Sequence, residues 1–189
     1  MNKKLILGIT ILAMVVLAPS IWSCTGRQTS EPPIPPPPIT PVTPGYIQGY
    51  DHRLGYGFEY PEDWEYQAPK VEFPLEKVEV FTKKGEPTRI VIRVKSTNLK
   101  SLAEVKAFGY VSRESILKEG FVEINDRKAY EVVFKQLVAI DPASVYDKAK
   151  LVIFLANDKE YEIRCHTIED LYATSEEIFD HVINSFVIK

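Results

Sequence analysis

Cysteine, histidine and excess positive charge are all scarce in this chain. Of its 189 residues only Cys24 and Cys165 are cysteine, which allows at most one disulfide and no disulfide framework. Histidine occurs three times, at His52, His166 and His181, and no two stand at a ligand spacing such as H-x-x-x-H. A zinc site would therefore have to be assembled by the fold alone. There is no G-x-S-x-G elbow, no P-loop and no G-x-G-x-x-G, so no motif marks a catalytic nucleophile, a cofactor site or a metal site. Acidic residues outnumber basic ones, for a net charge of −3, which argues against general nucleic-acid binding because phosphate needs a basic footprint. The long apolar run, Leu5–Ala18, has 14 residues and falls short of the roughly 20 that a spanning helix needs.

That run belongs to an export signal. Residues Met1–Lys4 carry two lysines and no acid, Leu5–Ala18 is uncharged, and small or helix-weakening residues follow. The end, Ile21-Trp22-Ser23-Cys24, resembles a bacterial lipoprotein signal, with an aliphatic residue at −3 and a small one at −1; Trp22 at −2 departs from it. The resemblance implies that Cys24 is acylated, palmitate being the usual kind of chain, and becomes the mature N-terminus. Ordinary cleavage and an uncleaved signal anchor are the rival readings. Each places the remaining residues outside the cytoplasm, and the lipid reading holds them to the cell membrane. With Met1–Ser23 removed, the chain carries 21 basic and 26 acidic side chains, a net −5.

Residues 24–45 read as a tether. Eight prolines fall within Glu31–Pro44. Each removes a backbone donor and fixes φ, so neither helix nor central strand forms there. Polyproline II rises about 3.1 Å per residue, so such a segment reaches up to about 60 Å. Docking of Pro-Pro-Ile-Pro-Pro-Pro-Pro onto a proline-binding domain is the alternative.

The domain proper is expected over residues 46–189, long enough to bury a core without staples. Tyr46–His52, Gly55–Tyr60 and Glu76–Thr82 read as strands, and Arg89–Lys95 alternates with Ile90, Ile92 and Val94 on one face. Ser101-Leu102-Ala103-Glu104 is a capping box and predicts a helix ending at Gly120. Phe121–Ile124 and Lys128–Val138 flank the turn Asn125-Asp126-Arg127, and Tyr146–Ala156 and Glu160–His166 follow. Thr174-Ser175-Glu176-Glu177 predicts a second capped helix, after which Phe186-Val187-Ile188 packs on the sheet. The sum is an α+β domain with a central antiparallel sheet of about six strands, packed by a mid-chain and a C-terminal helix. With two helices, one sheet face is left partly bare.

Candidate chemistry is thin. Cys165 lies in the apolar phase of Tyr161-Ile163-Cys165, which predicts a buried thiol, and His166 points to the opposite face. Glu59, Glu62, Asp63 and Glu65 surround Tyr60 and Trp64; hard oxygens so placed suit Ca²⁺ or an acid pair, but a polar turn explains them more simply. A site around His166 or these carboxylates, in an enzyme or metal-binding protein, is the alternative function. The favoured one is a non-catalytic binding or assembly module for another extracytoplasmic protein. Its expected contacts are the Trp64 turn, or the polar face carrying Arg89, Arg93, Arg164 and His166.

Gly57-Phe58-Glu59-Tyr60-Pro61-Glu62-Asp63-Trp64 resembles the opening G-F-x-Y-P-x-x-W of PsbP-like domains, and Glu177–Phe186 resembles their closing helix with its S-F exit. The likeness extends over residues 46–189. It implies a central antiparallel sheet flanked by helices, and it brings no catalytic residue. Members of that family include extrinsic photosystem II subunits, assembly factors and bacterial lipoproteins.

Overall fold

The computed structural model divides the chain into two units, 1–38 and 39–189. It describes residues 42–67, 76–106, 109–111, 115–139 and 145–189, all in the second unit. Cys24, the signal segment and the tether up to residue 41 lie outside the described residues.

The strands are β1 (Tyr46–Asp51), β2 (Tyr56–Pro61), β3 (Trp64–Gln67), β4 (Glu76–Lys83), β5 (Arg89–Ser96), β6 (Ile116–Ile124), β7 (Arg127–Ala139), β8 (Val145–Ala156), β9 (Lys159–Ile168) and β10 (Val187–Ile188). One α-helix, α1 (Glu169–Ser185), stands among the described residues. Seven strands form an antiparallel sheet in the order β3-β4-β5-β9-β8-β7-β6, and β1-β2-β10 form a small second sheet. Two hairpins set the register of the large sheet. Asn125-Asp126 and Asn157-Asp158 each hold two consecutive residues at φ between 50° and 60°. Asn and Asp tolerate this left-handed region, which suits a two-residue turn between twisted strands.

Cores lie on both faces of the large sheet. On the first, Ile90, Ile92, Val94, Ile163 and Cys165 pack with Phe179, Val182 and Ile183 of α1 and with Tyr56 and Phe58 of the small sheet. On the second, Val132, Phe134, Leu151 and Ile153 pack with Val105, Leu99, Leu102, Tyr110 and Val111. Strands β7 and β8 are thus buried on both sides, and Leu151-Val152-Ile153-Phe154 is correspondingly an unbroken apolar run.

The large sheet has seven strands where about six are expected, Trp64–Gln67 adding β3, and two other expected elements differ. In place of the mid-chain helix the described residues hold a 3₁₀ turn at Leu102–Glu104 with further 3₁₀ residues at Gly109 and Ser115, and Ile116–Gly120 joins β6; residues 107–108 and 112–114 lie outside the described residues. The capping box itself forms, since the Glu104 carboxylate accepts from the Ser101 N–H at 2.9 Å. Its helix stops because Leu102 reaches the core from the 3₁₀ turn and Val105 from the extended residue after it, and pairing with β7 satisfies the backbone from Ile116 onward. Helix α1 begins at Glu169, five residues before the box at Thr174. That threonine lies inside the helix, and its hydroxyl donates back to the Leu171 carbonyl at 2.9 Å. Acidic Glu169 and Asp170 suit the positive N-terminal end of the dipole, and the extra turn buries Tyr172. The second sheet face, expected to be partly bare, is covered over β7 and β8 by Leu99, Leu102, Val105, Tyr110 and Val111, and is left bare at β6, where Glu119, Phe121 and Glu123 are exposed.

Candidate functional site

The polar residues of β5 and β9 lie on the second face and face each other in register. Arg89 stands opposite His166, Arg93 opposite Glu162 and Lys95 opposite Glu160. Instead of presenting open charge, this stripe pairs sideways. Lys95 meets Glu160 at 2.9 Å, Arg164 meets Glu162 at 3.1 Å, and His166 Nδ1 lies 3.1 Å from Asp147. The Tyr110 hydroxyl donates to Glu160 at 2.6 Å, while the Arg164 guanidinium sits 5.7 Å from the centre of the Phe134 ring. Glu160 is only 1% exposed. Burial pushes the His166 imidazole below its ordinary value; Asp147 opposes that shift, and the cations Arg89 and Arg164 add to it. Of the four residues expected to form an open contact face, Arg89 is exposed, whereas Arg93, Arg164 and His166 are half-buried.

Around β2 the fold brings distant motifs together. Val187 and Ile188 pair with Gly57 and Tyr56. The Phe186 ring lies 5.5 Å from Tyr56 and 5.6 Å from Phe154, and the Ser185 hydroxyl accepts the Glu59 N–H at 2.8 Å. Gly57 is required because a Cβ there would come 2.8 Å from the Tyr50 ring across the ladder. Trp64 is 5% exposed and belongs to the core, so the expected contact through its side chain is corrected.

The four carboxylates of this region separate. Glu59 turns to α1, where its Oε2 lies 2.8 Å from His181 Nε2; Glu62, Asp63 and Glu65 are exposed. Burial raises the Glu59 carboxyl, but hydrogen bonds from His181 and Thr43 outweigh it and hold the group below the usual carboxylate range. The Tyr46 ring lies 3.9 Å from His181, tilted by 35°, and an open cleft of about 400 Å³ beside the pair is lined by Gln48, Asn125, Asn184 and Ser185. Among the described residues no group of three or more His, Cys, Asp or Glu side chains is placed to hold a metal ion. Cys165 is fully buried, and burial pushes its thiol up, away from the thiolate a nucleophile needs.

The paired β2 and β10 motifs make the match to a family model concrete: the PsbP model fits residues 45–188. The chain belongs to the PsbP family. Solved structures agree on this PsbP fold. Cyanobacterial PsbP (CyanoP) from Synechocystis sp. PCC 6803 superposes with a TM-score of 0.58 at 19% identity, covering 77% of this chain and 93% of the other. A protein from Bacteroides thetaiotaomicron superposes with a TM-score of 0.52 at 13% identity, covering 75% of this chain and 48% of the other. No curated protein sequence is detectably similar.

One surface of this PsbP domain escaped sequence reasoning. Leu117 (54% exposed), Phe121 (61%), Leu137 (46%) and Tyr146 (45%) all lie on β6, β7 and β8, at one end of the large sheet. Two open grooves flank β6. One, of about 480 Å³, is lined by Leu102, Ala103, Phe121, Val122, Glu123 and Lys128. The other, of about 460 Å³, includes Val111, Leu117, Phe134, Leu137 and Tyr146. The available signal was apolar character on both phases of Phe121-Val122-Glu123-Ile124, more than one buried face requires.

Proposed function

We propose that this PsbP protein is a lipid-anchored, extracytoplasmic binding module that engages a protein partner through the β6 end of its large sheet and catalyses no reaction. The exposure of Leu117, Leu137 and Tyr146 around one groove, with Phe121 exposed at a second groove farther along β6, carries the reading, because soluble domains seldom leave large apolar side chains grouped at the surface unless something docks there. The likeness of Ile21-Trp22-Ser23-Cys24 to a lipoprotein signal supports the anchor. The proline-rich segment supports a stiff tether that raises the domain's effective concentration near other membrane-bound proteins. Exposed Arg89 adds steering for an acidic partner more than affinity.

The test is crosslinking in native membranes from a photoreactive group at Leu137, followed by Phe121→Asp and Arg89→Glu. The reading expects one specific adduct, abolished by Phe121→Asp with the melting temperature unchanged and weakened several-fold by Arg89→Glu. An adduct indifferent to Phe121→Asp removes the β6 end from the contact. Turnover of a small substrate that is lost on changing His166 or Glu62 would overturn the binding reading altogether.

A further inference from the structure

The β6 end offers a particular kind of contact. Strand β6 is the last in the order β3-β4-β5-β9-β8-β7-β6, so its outer edge carries no strand among the described residues. The opposite edge, β3, has four residues, whereas β6 has nine. In the two-residue hairpin at Asn125-Asp126 the closing pair Ile124–Arg127 exchanges both backbone bonds. Alternation then directs the bonds of Val122 and Gly120 inward as well, and turns the amides and carbonyls of Glu119, Phe121 and Glu123 outward. The side chains of these same three residues share the second sheet face, in register with Val132, Tyr130 and Lys128. Each is exposed, and Phe121 rests 5.5 Å from the Tyr130 ring.

From this edge we propose that β6 accepts an extended strand of the partner protein, one that reads basic, apolar, basic at alternate positions; the proposal rests on the binding-module reading above. Outward backbone groups supply the ladder bonds, and the groove beside Phe121 and Leu102 takes the central apolar side chain. The flanking basic residues meet Glu119 and Glu123. Charge argues against a second copy of this chain as the occupant. Antiparallel self-pairing centred on Phe121 sets Glu119 opposite Glu123 in both halves, and centring it on Gly120 sets each Glu119 against a Phe121 ring. A cross-strand pair of like charges is destabilising, and a heterologous basic strand avoids it.

The probe is the end-blocked peptide Thr-Lys-Thr-Val-Thr-Lys-Thr, added to the full chain in its Cys24→Ser form and read by residue-resolved amide exchange. Exchange at Glu119, Phe121 and Glu123 should slow at least tenfold, with Gly120 and Val122 unchanged. The doubly reversed variant Glu119→Lys/Glu123→Lys should lose the peptide and bind its Glu-for-Lys counterpart. Glu123→Pro, which deletes one outward N–H but no inward bond, should weaken binding about tenfold. Absence of binding at millimolar peptide, protection elsewhere, unswapped charge preference, or dimerisation of the chain through β6 would each overturn strand addition. In any of those cases the crosslink from Leu137 and its loss on Phe121→Asp still decide the binding-module reading separately.

Discussion

At strands β5 and β9 the two faces of the large sheet are built from opposite materials, yet both are largely withdrawn from solvent. Towards α1, strands β5 and β9 present Ile90, Ile92, Val94, Tyr161, Ile163 and Cys165, and the contact is apolar and aromatic. On the other side the same strands present Arg89, Arg93, Lys95, Glu160, Glu162, Arg164 and His166, under a segment that brings Val105 and Tyr110. The first face is held by area removed from water. The second holds together because its charges meet one another before they meet solvent. A polar phase on a strand therefore says which residues share a face, and not that the face is open.

The sharpest way to break the comparison is at Phe186, which stacks among Tyr56, Phe58 and Phe154 where the small sheet, α1 and the large sheet meet. Phe186→Ala should cost about 4 kcal/mol in denaturant unfolding, more than any single change on the charged face. A cost below that of the charged-face variants would reverse the ranking.

On the charged face, Glu160→Ala should cost about 2 kcal/mol, because it strands Lys95 and the Tyr110 hydroxyl together. The double variant Lys95→Met/Glu160→Met should recover part of that loss, since replacing both partners avoids an orphaned buried charge. Equal costs for the two variants would show that the pair is energetically idle.

His166 sharpens the contrast through pH. Its folded value lies below its unfolded value, so on acidification the unfolded chain takes the proton first. Stability should be full above about pH 6.5, the ordinary histidine value, and decline as pH falls towards the lower folded value. His166→Gln should flatten the slope of the melting temperature between pH 7 and 5. The Glu59 shift has the same sign but acts in a more acidic window; its contribution is present above the ordinary carboxylate value and is lost only as pH falls through its depressed folded value. A slope unchanged by His166→Gln would place the proton uptake elsewhere.

The smallest effect belongs to the N-terminus. Removing residues 1–41 should leave the unfolding midpoint within experimental error. Extending the cut through Gly45 deletes the Thr43 contact to Glu59 and the Gly45 carbonyl that accepts from Glu62, and should cost at most about 1 kcal/mol. A large loss on the first cut would show that the tether packs on the domain.

Much of the architecture is legible in the chain because strands write their pattern locally. The alternation at Arg89–Lys95 and Glu160–His166, the Asn-Asp turns and the apolar stripe ending in Phe186 each depend on neighbours within a few residues. Capping boxes misled for the same reason: Ser101 and Thr174 carry the local signal, but sheet pairing at Ile116 and burial of Tyr172 decided where helix stops and starts. What the sequence by itself determined is the α+β class, most of the strands, the buried phase of Arg89–Lys95 and Glu160–His166, and the turns at Asn125 and Asn157. Tertiary structure alone decided that Gly57 and Phe186 form one packing unit, that Glu59 finds His181 instead of its neighbouring carboxylates, that a charged strand phase lies covered, and that β6 ends the sheet with Phe121 exposed. Each of these depends on residues tens to more than a hundred positions apart. Such contacts form because burial and pairing act on distance in space, and a single chain does not write that distance in its local pattern.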